Sequence, residues 1–310
     1  MKRLGQEVMS LVLSLVIVSI ILFAMIRLSP SDPIRLIVNQ PGSIATVEER
    51  NERIEQLKRE QGLDQSIPRQ YVNWVRGVSR GQLGTSIFTR EAVAKGLKRT
   101  FWPSMSLAFL SVGVEVMLSL SLGMLAVIYL SRWPDHFIRH LTIFCQSVPF
   151  FALAMLFLEL FAVRFHYYAV NNSAEWRLWL PVLTVAVAQS PRSIQLIRHQ
   201  LIKQMGQTYF LDGIAKGYSK LKLLKTALKQ SAYPIWTRFG LSLASSVGGL
   251  AITENLFAWP GMGNYGLTAV LKQDYPVIQG YLMLVIVVVM VLSRLFEWLF
   301  YVWRKGGRKV

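Results

Sequence analysis

Long apolar stretches alternate with polar, mostly basic segments along the whole chain. The apolar stretches with the length of a membrane-spanning helix are residues 8–26, 104–130, 141–163, 179–197, 235–257 and 277–301. A helix needs about 20 mainly apolar residues to cross the hydrocarbon core of a bilayer. The pattern therefore predicts an all-α polytopic membrane protein with six transmembrane helices.

The orientation follows from the short polar segments. Lysine and arginine lie before the first span, between the second and third, after the fourth and after the sixth, so six spans place all of them on one side. That side is expected to be the cytoplasm, because basic residues accumulate in short cytoplasmic loops. Both termini are then cytoplasmic. A cleaved signal peptide is the alternative for the first span, but no small-residue cleavage site follows it.

Composition narrows the classes of function. The net charge of +17 would indicate nucleic-acid binding in a soluble protein, but here the basic residues flank apolar runs. Membrane lipids therefore account for the charge, and no nucleic acid is expected as a partner. The single cysteine, Cys145, and four scattered histidines predict neither a disulfide nor a metal site. No G-x-x-x-x-G-K-[ST] motif is present, so this chain is not expected to bind ATP through that loop.

The lysine-rich segment 209–235 interrupts the apolar pattern. Its helix-compatible residues run up to Gly217 and resume at Leu221, which predicts two short helices joined by a glycine turn. Small residues at Gly213, Ala215 and Gly217 would let a partner approach the backbone closely. The alternative is a basic cytoplasmic loop that only fixes the topology.

Five blocks of residues carry a resemblance to a known family. In chain order they are Pro30-Ser31-Asp32-Pro33, then Gly62-Leu63-Asp64 with Gly84-Thr85-Ser86, then Ala215-Lys216-Gly217, then ENLFAWPGMG at 254–263, and Asp274-Tyr275-Pro276-Val277-Ile278. In this order they resemble the permease subunits of bacterial ABC importers for dipeptides, oligopeptides, nickel and metallophores. The resemblance covers nearly the whole chain.

The resemblance implies the type I ABC importer permease fold in the bacterial cytoplasmic (inner) membrane. It divides the chain into a tail and first transmembrane helix (1–28), an extracytoplasmic loop with short helices (29–103), and a five-helix core (104–310) that includes a cytoplasmic coupling loop (199–234). The implied function is transport rather than enzymatic catalysis, with this subunit forming half of a translocation pathway. The residues that would couple to an ATPase are Asp212, Gly213, Ala215, Lys216 and Gly217.

The resemblance also implies partners. These are a second homologous permease in a heterodimer, two ATP-binding subunits that carry ATP and Mg²⁺, and an extracytoplasmic substrate-binding protein. No cofactor is expected on this chain itself.

Charged side chains at membrane depth are candidates for function, since each costs about 2.5–3.5 kcal/mol to insert. Glu115 either lines the pathway and attracts a cationic substrate, or accepts hydrogen bonds between helices. Glu254 is a second pathway candidate, which could instead hold the turn that follows it. Arg192 and Arg198 are expected to reach lipid phosphates from the cytoplasmic end. The turn expected at the outer face contains Trp259, Pro260, Gly261 and Gly263.

The cargo is the least constrained property. Residues 257–261 and 274–279 resemble the nickel and metallophore branch of the family slightly more than the peptide branch, so nickel or a metal chelate is the first expectation. A dipeptide or oligopeptide is the alternative. A membrane-embedded enzyme is a remote alternative, because no paired carboxylates or activated histidine stand at one membrane face. A channel is a further alternative, but no repeated filter sequence is present.

Overall fold

The computed structural model describes residues 2–28, 47–60, 64–168 and 174–306. These residues form helices and turns, apart from one β-bridge between Thr85 and Ala92. The predicted blocks at 30–33 and 62–63 lie outside the described residues. The α-helices are α1 (Lys2–Arg27), α2 (Val47–Glu60), α3 (Ile67–Ser79), α4 (Val93–Ile128), α5 (Trp133–Ser147), α6 (Phe150–Leu158), α7 (Ala174–Met205), α8 (Thr208–Ala215), α9 (Lys220–Gln230), α10 (Ala232–Leu256), α11 (Met262–Lys272) and α12 (Tyr275–Gly306).

Each predicted span falls on a helix: on α1, on α4, on the pair α5 and α6, on α7, on α10 and on α12. Among the described helices, α4 and α12 are long and apolar enough to cross a bilayer, over Val93–Ile128 and Tyr275–Val302. A third candidate is the pair Trp133–Ser147 and Phe150–Arg164, which bends by 100° and in which α6 continues as a π-helix over Glu159–Arg164. Pro149 stands at the bend, where its ring and missing N–H prevent a continuous helix.

One compact unit comprises Met1–Trp102 and Pro260–Val287. Within it, α1 packs against α3 through aromatic side chains. The Phe23 ring lies 5.4 Å from that of Tyr71 and 5.9 Å from that of Trp74, measured between ring centroids. The Tyr71 hydroxyl also shares a 2.8 Å hydrogen bond with the hydroxyl of Ser19. These contacts hold the first helix of the chain onto the loop that follows it.

Two of the family-like blocks meet in this unit. Asp274 is buried just before α12, and its carboxylate accepts hydrogen bonds from the Ser86 hydroxyl and from the Ile87 N–H, the latter at 3.2 Å. Gly84 has φ +85°, a conformation that glycine adopts without strain. The backbone therefore turns at Gly84 so that the following residues can cap Asp274.

The other compact unit comprises Pro103–Trp259 and Val288–Val310. Helix α7 packs there against α5, α6, α9 and α10. Helices α10 and α12 approach closely at Gly240, because a Cβ atom there would lie 3.0 Å from the ring of Phe296.

Arg198 pairs with a carboxylate of its own chain, so the prediction that it reaches lipid phosphate is wrong. Its Nε and Nη2 donate to the two carboxylate oxygens of Asp135 at 2.7 and 2.9 Å. Asp135 lies in the first turn of α5 and is buried, and the guanidinium lowers the pKa of its carboxyl. A bidentate pair of this kind fixes the start of α5 against the end of α7.

Candidate functional site

The coupling segment consists of α8, the turn at Gly217 and α9. The N–H groups of Lys216 and Tyr218 donate to the carbonyls of Asp212 and Gly213 at 2.9 and 3.0 Å, which closes the end of α8. Gly217 has φ +74°, the left-handed conformation that commonly ends a helix. The predicted arrangement of two short helices around a glycine turn is confirmed.

Gly213 is buried against its own chain. A Cβ atom at this position would lie 2.4 Å from Cδ2 of Leu223 on α9. The close approach predicted for an external partner is therefore made, at this glycine, by the neighbouring helix. The missing side chain sets the distance between α8 and α9.

The opposite side of α8 is exposed and partly apolar. Leu211 and Ile214 are each 55% exposed, and Tyr218 is 47% exposed. Asp212 and Lys216 are also exposed beside them. A compact apolar surface with flanking charges is typical of a protein-docking face.

The coupling segment is fixed to the helices of its unit at two places. The Lys220 ammonium group donates to the backbone carbonyl of Ile128 at 2.6 Å, where α4 ends. Helix α9 packs against α7 and buries Leu223, Leu224 and Ala227. A displacement of α8 would therefore be transmitted to the ends of α4 and α7.

A buried polar cluster, the Glu115 cluster, joins α4, α7 and α10. Glu115 is 1% exposed, and its carboxylate accepts hydrogen bonds from the hydroxyls of Ser193, at 2.5 Å, and Ser242. Arg238 Nη2 lies 3.8 Å from the same carboxylate. The Ser242 hydroxyl also contacts the amide oxygen of Gln189. These contacts favour the hydrogen-bond acceptor interpretation of Glu115, and its role in the pathway remains a prediction.

A cavity of about 540 Å³ lies in the same unit, between α7, α10 and the bend before α6. Its polar lining includes Gln146, Gln189, Arg192 and Arg238. Arg238 was not among the predicted site residues. Its position in the predicted span 235–257 could have indicated it, because any charged residue at membrane depth is a candidate for function.

Glu254 and Trp259 are tied to the beginning of the second predicted span. The Glu254 side chain is buried and accepts the hydroxyl of Ser104, while its backbone carbonyl accepts the Trp259 N–H at 2.7 Å. The Trp259 indole N–H donates to the carbonyl of Pro103 at 3.0 Å. Trp259 is thus a packed anchor at the C-terminal end of α10. A role of Glu254 in the pathway remains a prediction.

The remaining residues of the predicted outer turn belong to the other compact unit. Pro260 is exposed, and Gly261 precedes α11, where its carbonyl accepts the Tyr265 N–H at 3.1 Å. Gly263 is buried within α11. The sequence WPGMG therefore ends one helix and starts another, in agreement with its interpretation as a turn.

Comparison with known families decides the class of protein. Residues 119–306 match the family described as binding-protein-dependent transport system inner membrane component. Residues 1–108 match the N-terminal family of the same transport components. The chain belongs to the binding-protein-dependent transport permeases. It is a multi-pass protein of the bacterial inner membrane and a permease subunit of an ABC importer, so the predictions of family, location and a non-enzymatic role are confirmed.

Relatives of this permease align over most of their length. The glutathione transport system permease protein GsiC of Escherichia coli O6:H1 is 30% identical over 281 residues, which are 90% of each chain. The proteins of the same name in Salmonella typhimurium and Pectobacterium atrosepticum are 30% and 28% identical over the same shares.

A solved structure supports the fold of the permease. A chain of the MetNI methionine ABC transporter, in an inward-facing conformation, superposes with a TM-score of 0.56 and 16% identity. The match covers 66% of this permease and 94% of that chain. Together with the helices described above, it confirms the prediction of an all-α, type I ABC importer permease fold.

Proposed function

We propose that this permease forms half of the translocation pathway of an importer for small peptides, with glutathione as the representative cargo. The observation that carries this proposal is the 28–30% identity, over 90% of both chains, to permeases named for glutathione transport. These relatives favour the peptide alternative over nickel or a metallophore. The expectation of a metal cargo rested on two short stretches of sequence, whereas the relatives align along the chain.

The exposed side of α8 is the proposed contact with an ATP-binding subunit. Leu211 and Ile214 would enter an apolar groove of that subunit, with Asp212 and Lys216 at the rim. Ala215, which is exposed beside them, would allow close approach. Because Lys220 binds the end of α4, closure of the ATP-binding subunits would displace the transmembrane helices with the coupling segment.

The proposed assembly contains a second, different permease, two ATP-binding subunits and an extracytoplasmic substrate-binding protein. ATP and Mg²⁺ would bind to the ATP-binding subunits, and this chain would hold no cofactor. The inner-membrane family to which the chain belongs supports this arrangement.

The experiment is uptake into liposomes that contain the complete complex and are supplied with its binding protein. Radiolabelled glutathione, a dipeptide and a nickel chelate are compared, with vanadate as the control for ATP dependence. We expect vanadate-sensitive uptake of glutathione or the dipeptide. Uptake of the nickel chelate alone would refute the peptide assignment.

Docking is tested separately with Ile214→Asp, which places a charge on the exposed face of α8. We expect the ATP-binding subunits to be lost from the purified complex while the permease remains in the membrane. Lys225→Asp, an exposed charge change on α9, is the control for the change in charge. Retention of the ATP-binding subunits by Ile214→Asp would contradict the proposed contact.

A further inference from the structure

The charge of the cavity beside α7 and α10 points to a specific class of ligand. Its volume of about 540 Å³ lies in the range of small-molecule sites. Among the described residues that line it, the charged ones are Arg192 and Arg238, and none is a carboxylate. The remaining polar groups, including Gln146 and Gln189, are neutral. The cavity therefore has a positive lining with hydrogen-bonding groups around it.

Arg238 is incompletely neutralised by the nearest carboxylate. Its Nη2 lies 3.8 Å from Oε1 of Glu115, which is too far for a hydrogen bond. Its Nε–H has no acceptor among the described residues. Glu115 meanwhile receives hydrogen bonds from Ser193 and Ser242, so part of its charge is already compensated. The guanidinium of Arg238 thus has donors left for a further anion.

Arg192 supplies a second, independent cation. It lies on α7 and is exposed, and no described carboxylate is within ion-pair distance of it. Two guanidinium groups on one cavity repel each other in the absence of a ligand. A ligand anion relieves that repulsion, whereas a cationic metal complex would increase it.

We propose that Arg192 and Arg238, with Gln189 beside them, recognise the carboxylate of the cargo as it passes through the permease. This inference rests on the proposed function, because a small peptide carries a free carboxylate at its C-terminus. Arginine suits this task because its planar donors bind a carboxylate in two places. Gln189 is held by its amide, which donates to the hydroxyl of Ser246 at 2.8 Å. The two arginines would make this permease selective for a peptide with a free C-terminal carboxylate over the corresponding C-terminal amide.

The test compares a dipeptide with its C-terminal amide in the liposome uptake assay, with rates normalised to assembled complex. The variant is Arg192→Gln, because Arg192 has no described carboxylate partner that its removal would leave unpaired. The natural and the variant permease are assayed with the same binding protein. Any preference of the binding protein for the acid or the amide therefore cancels when the acid-to-amide uptake ratio of the variant is divided by that of the natural permease. We expect the ratio to fall about tenfold, as for the loss of one charge-assisted hydrogen bond.

Two further variants guard the interpretation. Arg192→Lys keeps the charge and should restore part of the ratio. Arg294→Gln, an exposed arginine on α12 that pairs with Glu297 and does not line the cavity, should leave the ratio unchanged. The double variant Glu115→Gln with Arg238→Gln removes the second cation without leaving a buried carboxylate alone, and should lower the ratio in the same direction.

The lipid headgroup is the other source of an anion at this site. The assay is therefore repeated in liposomes of neutral phosphatidylcholine and in liposomes that also contain phosphatidylglycerol. An effect of Arg192→Gln in both supports recognition of the cargo, and an effect only with phosphatidylglycerol overturns it in favour of lipid. Peptide uptake with an unchanged ratio overturns the inference but leaves the proposed function intact. No peptide uptake by the natural protein overturns both.

Discussion

Apolar side chains are usually buried and charged ones exposed, and the coupling segment and the Glu115 cluster depart from this rule in opposite ways. In the coupling segment the apolar side chains of Leu211 and Ile214 are exposed. In the cluster the charged Glu115 is buried among helices. Exposed apolar side chains gain free energy only when a partner covers them, whereas the buried carboxylate already has its partners within the chain. The proposed docking role of α8 therefore needs a second protein to cover its apolar side chains, whereas the contacts of Glu115 already join three helices of this chain.

The largest expected effect comes from removing the carboxylate of the cluster. Glu115→Leu would leave Arg238 without its nearest anion and the hydroxyls of Ser193 and Ser242 without their acceptor. We expect the free energy of unfolding to fall by about 3 kcal/mol, as when one member of a buried ion pair is deleted. The measurement is the apparent Tm of the purified complex in detergent.

Glu115→Gln is the matched variant, because its amide oxygen can still accept a hydrogen bond from a serine. It should lose clearly less stability than Glu115→Leu. Equal Tm values for the natural protein and Glu115→Leu would show that the cluster does not stabilise the helices.

A smaller effect is expected where the coupling segment packs on itself. Gly213→Val would drive a side chain into Leu223, so α8 should move away from α9 at a cost of about 2 kcal/mol. We expect ATP hydrolysis to continue while uptake falls, because α8 would no longer be held against α9. The measurement is the number of peptides imported per ATP hydrolysed.

Gly206→Val is the control for the loss of a glycine near the same helix. The atom that a Cβ there would meet first is the carbonyl oxygen of Lys203, at 3.8 Å. Normal coupling in Gly213→Val, or equal losses in both variants, would contradict the role of this contact.

The anchor on α4 is exposed, so its loss should have a still smaller effect. Lys220→Met removes the hydrogen bond to the carbonyl of Ile128, and we expect coupling to fall by about threefold, as for a partly screened interaction. Lys225→Met changes an exposed lysine five residues further along α9, and it tests for a general effect of lower positive charge. The anchor assignment fails if the two variants behave alike.

The last prediction concerns the pH dependence of the pair formed by Asp135 and Arg198. Its pKa is lowered by Arg198, so the pair stabilises the folded chain above the ordinary carboxyl value of about 3.9, and this contribution is lost as the pH falls through the lowered folded-state value. Asp135→Asn should therefore lower Tm by a constant amount between about pH 5 and 8. The difference from the natural protein should shrink in more acidic buffer. A difference that grows with acidity would mean the pair is not charged in the folded state.

The helices were predictable from local patterns. Apolar runs located the six spans, and the left-handed turn at Gly217 followed from a glycine between two helical segments. Both features depend on residues that are neighbours in sequence. The bend at Pro149 was likewise marked by its proline, although its angle of 100° was not predictable.

Contacts between distant segments were not predictable from one sequence. Arg198 was expected to reach lipid because Asp135, 63 residues away, gives no periodic signal of its position. Ser86 and Asp274, 188 residues apart, were each recognised within a motif but not as a pair. Gly213 was correctly singled out as a site of close approach, but the approaching residue proved to be Leu223 of the same chain.

The anchor of the coupling segment is asymmetric in a way that matters for chimeric permeases. Lys220 contributes a side chain, but Ile128 contributes only a main-chain oxygen, which every amino acid possesses. A substitution at position 128 therefore leaves the hydrogen-bond acceptor in place. The lysine, in contrast, must be included in any coupling segment that is transferred to another permease. When the coupling segment of one importer replaces that of another, this hydrogen bond should therefore depend on the lysine in the transferred segment. It should not depend on which residue ends α4 in the host permease.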